Sequence, residues 1–228
     1  MTIRAVLLDV GGVILVPDPA IYQATFGAAG LGPDEEAVRR GHYAGVAAMD
    51  RVGEVDWPVY FTELAVACGA LHNTVASVSE ALGACHQPGV WTSVLPGARE
   101  GLQALAATGA SVAMVSNSDG TVEGLLRDAE VCQVGPGPGV EVAVVVDSHV
   151  VGVEKPDPRI FDFALSVVGV DAADAAYVGD TVTYDVRGAR AAGLHPLHLD
   201  PYDLCPVPRD HDHVRSLGDV AAWVSASA

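Results

Sequence analysis

Four short apolar runs, each of strand length and each ending abruptly in polar residues, constrain the fold of this chain more than any other feature. They cover 5–8 before Asp9, 111–115 before Ser116 and Asn117, 142–146 before Asp147 and Ser148, and 175–178 before Gly179 and Asp180. None alternates apolar with polar residues, so each reads as a strand buried on both faces, as in a parallel sheet covered by helices. The intervening segments carry helical spacing. Residues 98–108 place Leu102, Leu105 and Ala106 on one face ahead of Gly109; 158–168 carry Ile160, Phe161, Ala164, Leu165 and Val168 ahead of Gly169; 185–192 close at Gly193. Strand, helix and strand in succession predict a doubly wound, Rossmann-like α/β fold with a parallel sheet of about five strands. Such sheets bind ligands beyond the carboxyl ends of their strands, where the polar residues fall.

The connection between the first two runs is too long for a crossover. Its middle, 17–91, contains helix-like stretches at 33–43 and 59–68 and reads as a helical insertion, leaving 1–16 plus 92–228 as the α/β core. Half of the 228 residues are hydrophobic and the mean hydropathy is +0.32, which excludes intrinsic disorder. Twenty-nine acidic against 12 basic side chains give a net charge of −17. That charge repels phosphate backbones and anionic lipid, so neither a nucleic-acid nor a membrane partner is expected. The uncharged stretch 101–118 is broken by Gln103, Thr108, Gly109, Ser111 and Asn117, and reads as helix, turn and strand. Asp9 would interrupt the apolar part of a signal peptide, so a cytoplasmic protein is expected. Cys68, Cys85, Cys132 and Cys205 form no CxxC pair, and GPGPG at 135–139 reads as a surface loop. His195, His198, His211 and His213 form HxxH and HDH patterns, but in a proline-rich C-terminal stretch they read as surface histidines rather than a metal cluster.

Bringing the strand ends together collects Asp9, Gly11, Gly12, Ser116, Asn117, Lys155, Asp180 and Asp185 in one crevice. Lys155 is the only lysine; the other 11 basic residues are arginine. Carboxylates gathered so closely need a shared hard cation, and all-oxygen ligands suit Mg²⁺, which usually completes its shell with water and a substrate phosphate.

Through LLDVGGVI, MVSNS, GVEKPDP and VGDTVTYDVRGARAAGL, in that order, the chain resembles the haloacid dehalogenase superfamily, in its phosphatase-like branch with a helical, C1-type cap. The resemblance implies that Asp9 is a nucleophile forming an aspartyl-phosphate, and that Ser116 and the Asn117 backbone N–H hold phosphoryl oxygens. It implies that Lys155 neutralises Asp9 and phosphate. Mg²⁺ would be held by Asp9, the Gly11 carbonyl and Asp180, with Asp185 joining directly or through water. The implied activity is Mg²⁺-dependent hydrolysis of a phosphomonoester, a small soluble metabolite enclosed by the cap.

The chain departs from that pattern at Gly11, where the family's phosphatases carry a second, acid–base aspartate. Four readings follow: a substitute acid, for which Asp18 and His42 are candidates; a leaving group needing no acid; non-phosphatase chemistry such as dehalogenation or phosphonate cleavage; or a binding protein without catalysis. Dehalogenation is disfavoured, because those relatives dispense with Mg²⁺ and with the acidic pair kept here as Asp180 and Asp185. In the insertion, Trp57, Tyr60 and Phe61 read as core, while Tyr43, Met49 and Arg51 are candidates for specificity.

Overall fold

The computed structural model describes residues 2–207 and 210–227. Ten strands and ten α-helices alternate along them. The strands are β1 (Ala5–Leu8), β2 (Leu15–Val16), β3 (Ser93–Val94), β4 (Ser111–Ser116), β5 (Cys132–Val134), β6 (Val140–Val142), β7 (Val145–Asp147), β8 (Ala175–Gly179), β9 (His195–Leu199) and β10 (Asp212–Val214). The helices are α1 (Pro19–Ala28), α2 (Glu35–Val52), α3 (Trp57–Ala67), α4 (Val75–Cys85), α5 (Ala98–Ala107), α6 (Val122–Asp128), α7 (Ser148–Val151), α8 (Arg159–Val168), α9 (Arg187–Ala191) and α10 (Leu217–Ala226), with a π-helical turn at Val182–Val186 before α9. None is long and apolar enough to cross a membrane among the described residues.

The chain divides into two compact units: Met1–Ile14, Val94–Pro201 and Arg209–Ala228 in one, Leu15–Ser93 and Tyr202–Pro208 in the other. The first is the α/β core. Its sheet has six strands, all parallel, in the order β10-β9-β8-β1-β4-β7. Leu8 of β1 lies level with Met114 of β4 and Val178 of β8, so Asp9, Ser116 and Asp180 emerge from the same end of the sheet. β1 is buried along its whole length, as its unbroken aliphatic run requires. One face carries a core of Leu7, Ala113, Val115, Ile160, Phe161, Tyr177 and Leu194. Each large aliphatic or aromatic side chain so buried contributes roughly 1.5–3 kcal/mol, and the Phe161 and Tyr177 rings meet edge to face at 4.8 Å.

The sheet departs from the expected one in two places. The run 142–146 is divided: Val142 ends β6, which pairs with β5 outside the main sheet, and only Val145–Asp147 joins β4. Two strands also arise in the histidine-bearing C-terminal stretch, β9 and β10, which extend the sheet from about five strands to six. Their polar residues hid them: β10 is the sheet's edge, and β9 beside it is fully buried only over its last three residues.

The second unit is helical. Asp34 caps α2 by accepting from the Ala37 N–H at 2.7 Å, and Asp56 caps α3 by accepting from that of Val59 at 3.0 Å. α2 runs on to Val52, well beyond the expected 33–43, since its inner face stays apolar through Val46 and Met49. Tyr22, Phe26, Tyr60, Phe61, Leu64 and Leu82 fill its core, with Trp57 packed at the edge and partly exposed. The segment after Pro201 belongs with this unit rather than with the core, because Tyr202 packs its ring on Tyr43 and donates to Glu36 at 2.9 Å.

Candidate active site

Asp9 follows β1 directly. Its Oδ1 accepts from the Val10 N–H at 2.7 Å, which aims Oδ2 toward the Lys155 ammonium, 2.8 Å away. The same ammonium donates to Asp185 Oδ1 at 2.7 Å and to the Tyr177 hydroxyl at 2.8 Å. Three short contacts use all three N–H donors of a lysine that is only 3% exposed. The lysine's main chain is fixed as well: the Asn117 side chain accepts from the Lys155 N–H at 2.8 Å and donates to its carbonyl at 3.0 Å. The Asn117 carboxamide therefore positions Lys155, which leaves only its backbone N–H for the phosphoryl role expected of it.

Asp185 accepts at both oxygens. Oδ1 faces Lys155 and the Tyr177 hydroxyl (3.0 Å), while Oδ2 takes the backbone N–H and the hydroxyl of Thr181 at 3.0 and 2.6 Å. Lys155 and the two Thr181 groups donate fully, while the single Tyr177 proton is shared between Asp185 Oδ1 and the Val115 carbonyl, 3.1 Å away. Direct ligation of a metal by Asp185 would cost one of these bonds, so its geometry is that of an anchor for Lys155. Asp180, buried at the end of β8, lies against Gly12: a Cβ on Gly12 would come within 1.9 Å of Asp180 Oδ2, and Gly12 has a φ of +69°. On the other side of β8's end, a Cβ on Gly179 would fall 2.1 Å from Asp185 Cγ. Both carboxylates press on bare backbone, and a side chain at either glycine would displace them. Ser116 is buried at the end of β4, and Gly11 is half-buried two residues beyond Asp9.

Charge at the site is unbalanced. One oxygen from each of Asp9, Asp180 and Asp185 falls within a 4.8 Å group, against a single ammonium. Burial raises the Asp9 carboxyl to about 7; Lys155 opposes this, and the negative Asp185 and Asp180 reinforce it. Burial works the same way on Asp185, but Lys155 and the Thr181 hydrogen bonds outweigh it and hold this carboxyl below its usual range. Lys155 is held above its ordinary value: burial would lower it, and Asp185 and Asp9 prevail. The all-oxygen donor set, the uncompensated negative charge and the bare backbone beside Asp180 together fit a small hard divalent cation.

The residues expected to supplement the site lie in the helical unit. Asp18 caps α1, accepting from the Ala20 N–H at 2.9 Å. His42 is buried, its Nδ1 2.8 Å from the Tyr60 hydroxyl and its ring packed on Tyr43 and Trp91. Burial lowers its pKa to about 3, which favours the neutral ring near neutral pH. Tyr43 and Met49 are buried in that unit, and Arg51 pairs with Glu63 at 3.3 Å on its surface.

Tyr177 and Thr181 join the site without being among the residues the sequence pattern singles out. A phenol within the aliphatic run 175–178 was the available signal, since a buried hydroxyl needs a partner. For Thr181 the signal was its place four residues before Asp185, at the mouth of the helical turn it caps.

The haloacid dehalogenase-like hydrolase family model matches residues 3–193. The chain belongs to the haloacid dehalogenase-like hydrolases. Among proteins similar to this hydrolase, haloacid dehalogenase-like hydrolase domain-containing protein 3 from Bos taurus is 37% identical over 130 residues, 54% of this chain and 49% of that protein. A phosphoserine phosphatase from Thermus thermophilus is 46% identical over 67 residues, 29% of this chain and 27% of its own. The chain thus spans about half, or less, of the length of the curated relatives it matches. In fold, this hydrolase is similar to the magnesium-bound HAD-hydrolase YfnB from Bacillus subtilis (TM-score 0.60, 18% identity, 98% and 99% of the two chains). It is also similar to the L-2-haloacid dehalogenase from Xanthobacter autotrophicus with chloropropionic acid covalently bound (0.58, 19%, 100% of each).

Proposed function

We propose that this hydrolase is a Mg²⁺-dependent phosphomonoesterase working through an aspartyl-phosphate at Asp9, with a small phosphorylated metabolite as substrate and the helical unit as its cap. The observation that carries this reading is the buried Asp9–Lys155–Asp185 arrangement beside Asp180, which suits attack by a carboxylate on a dianion. Phosphatase relatives, each aligned over less than half the chain, support the same direction.

Asp9, Asp180 and the Gly11 carbonyl would hold Mg²⁺, with Asp185 contributing through water while it anchors Lys155. Bound there, the ion supplies charge neutralisation for the nucleophile and the phosphoryl group. Without such neutralisation, two unit charges about 4 Å apart at an effective dielectric near 20 repel by roughly 4 kcal/mol. Lys155 removes part of that barrier from its fixed position, and Asn117 and Asp185 prevent it from drifting. Asp9 Oδ2 then attacks phosphorus as the ester oxygen departs, and water subsequently cleaves the acyl phosphate. Ser116 and the Asn117 N–H hold the transferring oxygens.

Gly11 supplies no proton to the leaving oxygen, Asp18 is engaged in capping α1, and burial favours the neutral form of His42. The substrates favoured are therefore those whose leaving group is stable as an anion, since general acid catalysis would otherwise be worth about 10²- to 10⁴-fold. Phosphate release from aryl, acyl and alkyl phosphates, with Mg²⁺ and with chelator, tests the reading. Rates should rise as the leaving-group pKa falls, and Asp9→Asn should abolish them. No turnover on any compound, or an Asp9→Asn variant as active as wild type, would replace catalysis with a binding role.

A further inference from the structure

The histidines at the far edge of the α/β core form a second constellation, and their arrangement follows from strand geometry. His211 and His213 are two residues apart entering β10, so they share a face. β10 pairs with β9 in a register that sets His213 beside His198. The three rings gather with centroids 4.7–5.2 Å apart. His195, at the start of β9, instead points its Nε2 at the Ala173 carbonyl, 2.8 Å away.

Each of the three rings has one nitrogen committed to an oxygen acceptor. His198 Nε2 lies 3.0 Å from the Asp180 carbonyl, His211 Nδ1 2.9 Å from Asp210 Oδ1, and His213 Nδ1 3.2 Å from Asp200 Oδ2. A carbonyl and two carboxylates can only accept, so these nitrogens carry the protons. In the neutral rings the lone pairs are then on His198 Nδ1, His211 Nε2 and His213 Nε2. His198 Nδ1 and His211 Nε2 face each other at 3.1 Å. Two lone pairs in that position repel unless a proton or a cation lies between them. At the usual zinc–nitrogen distance of about 2.0–2.1 Å, a tetrahedral ion separates its nitrogen ligands by about 3.3 Å. Histidine metal ligands characteristically donate their other N–H to a carboxylate or a main-chain carbonyl, as all three do here.

We propose that His198, His211 and His213 form a second metal site, for a nitrogen-preferring divalent transition ion of the zinc class, separate from the oxygen-lined site at Asp9. Imidazole selects such ions over Mg²⁺. Because His198 also holds the Asp180 carbonyl, an ion there braces the turn that carries Asp180.

The test uses the full chain stripped with chelator, returned to excess Mg²⁺ and titrated with Co²⁺ followed by visible absorption. One equivalent is expected to bind, with the intense bands of tetrahedral nitrogen ligation, and to survive in Asp9→Asn, which separates it from the oxygen site. His211→Gln should remove those bands while circular dichroism shows the fold intact. Asp200→Asn and Asp210→Asn should weaken binding about 10- to 100-fold, and His195→Gln should change nothing. Should His211→Gln bind Co²⁺ as wild type does, or should wild type bind none beyond what Mg²⁺ displaces, the proposal fails and the two facing rings share a proton instead.

Discussion

Lys155 is the only lysine in a chain that otherwise uses arginine, and its surroundings leave room for a compact ammonium alone. It is nearly unexposed and bounded by Asp9, Asp185 and Tyr177 at 2.7–2.8 Å. A planar guanidinium keeps the charge but cannot direct single donors at three converging oxygens. Lys155→Arg should therefore lower kcat/KM about 10²- to 10³-fold, comparable to losing a preorganised donor at a developing charge; steady-state phosphate release would show it, and near-normal activity would contradict this account. Gly12→Ala makes a separate point. Its new methyl would overlap Asp180 and its φ is left-handed. Calorimetric titration should find Mg²⁺ bound at least about tenfold more weakly, in line with disturbance of a ligand's support, whereas unchanged affinity would remove Asp180 from the metal set. Asp9 and Asp180 were legible in the sequence because strand ends expose them as polar breaks in apolar runs, and Lys155 because it is the only lysine and stands in GVEKPDP. The second use of Asn117 was not, since a hydrogen bond to a residue 38 positions away leaves no trace in linear spacing, and the signals at Tyr177 and Thr181 name no partner by themselves.

Among elements, the buried strands and the helices closing at Gly109, Gly169 and Gly193 could be read directly, because periodicity and end signals are local. The division of 142–146 and the strands β9 and β10 could not, since pairing at an edge is decided by register with a neighbour. His42 shows the same limit: on a helix wheel it is a polar residue, yet packing makes it part of an aromatic core with Tyr43, Tyr60 and Trp91. Its pKa of about 3 lies below the ordinary value of 6.5. Between those limits the unfolded chain binds a proton that the folded chain refuses, so stability is fully present above pH 6.5 and falls as the pH is lowered toward 3. One such histidine contributes roughly 1.4 kcal/mol per pH unit over that window. Denaturant unfolding at pH 7 and pH 5 should therefore show a smaller pH-dependent loss for His42→Leu than for wild type. Equal losses would mean that His42 is already solvated or charged in the fold.

At the scale of the whole molecule, the net charge of −17 sets a general repulsion toward phosphate that the site must reverse locally. Every group proposed to reverse it lies in one of the two units: Asp9, Gly11, Lys155, Asp180 and Asp185 all belong to the α/β core. The helical unit has its own apolar cluster, built around Tyr22, Tyr60 and Leu64, which shares no residue with the one around Phe161 and Tyr177. A ligand that binds only the folded core stabilises it by mass action, by about 2.7 kcal/mol at a hundred times its Kd, or roughly a hundredfold in opening equilibrium. Hydrogen exchange with Mg²⁺ alone should accordingly slow the amides of β1, β4 and β8 by up to about that factor while leaving α2 and α3 near their metal-free rates. Asp180→Asn should cancel the effect. Equal protection of α2 and α3 would show that the two units open together as one cooperative body. In that case metal binding would bear on the proposed cap before any substrate arrives, and a role for the helical unit that waits for substrate would have to be given up.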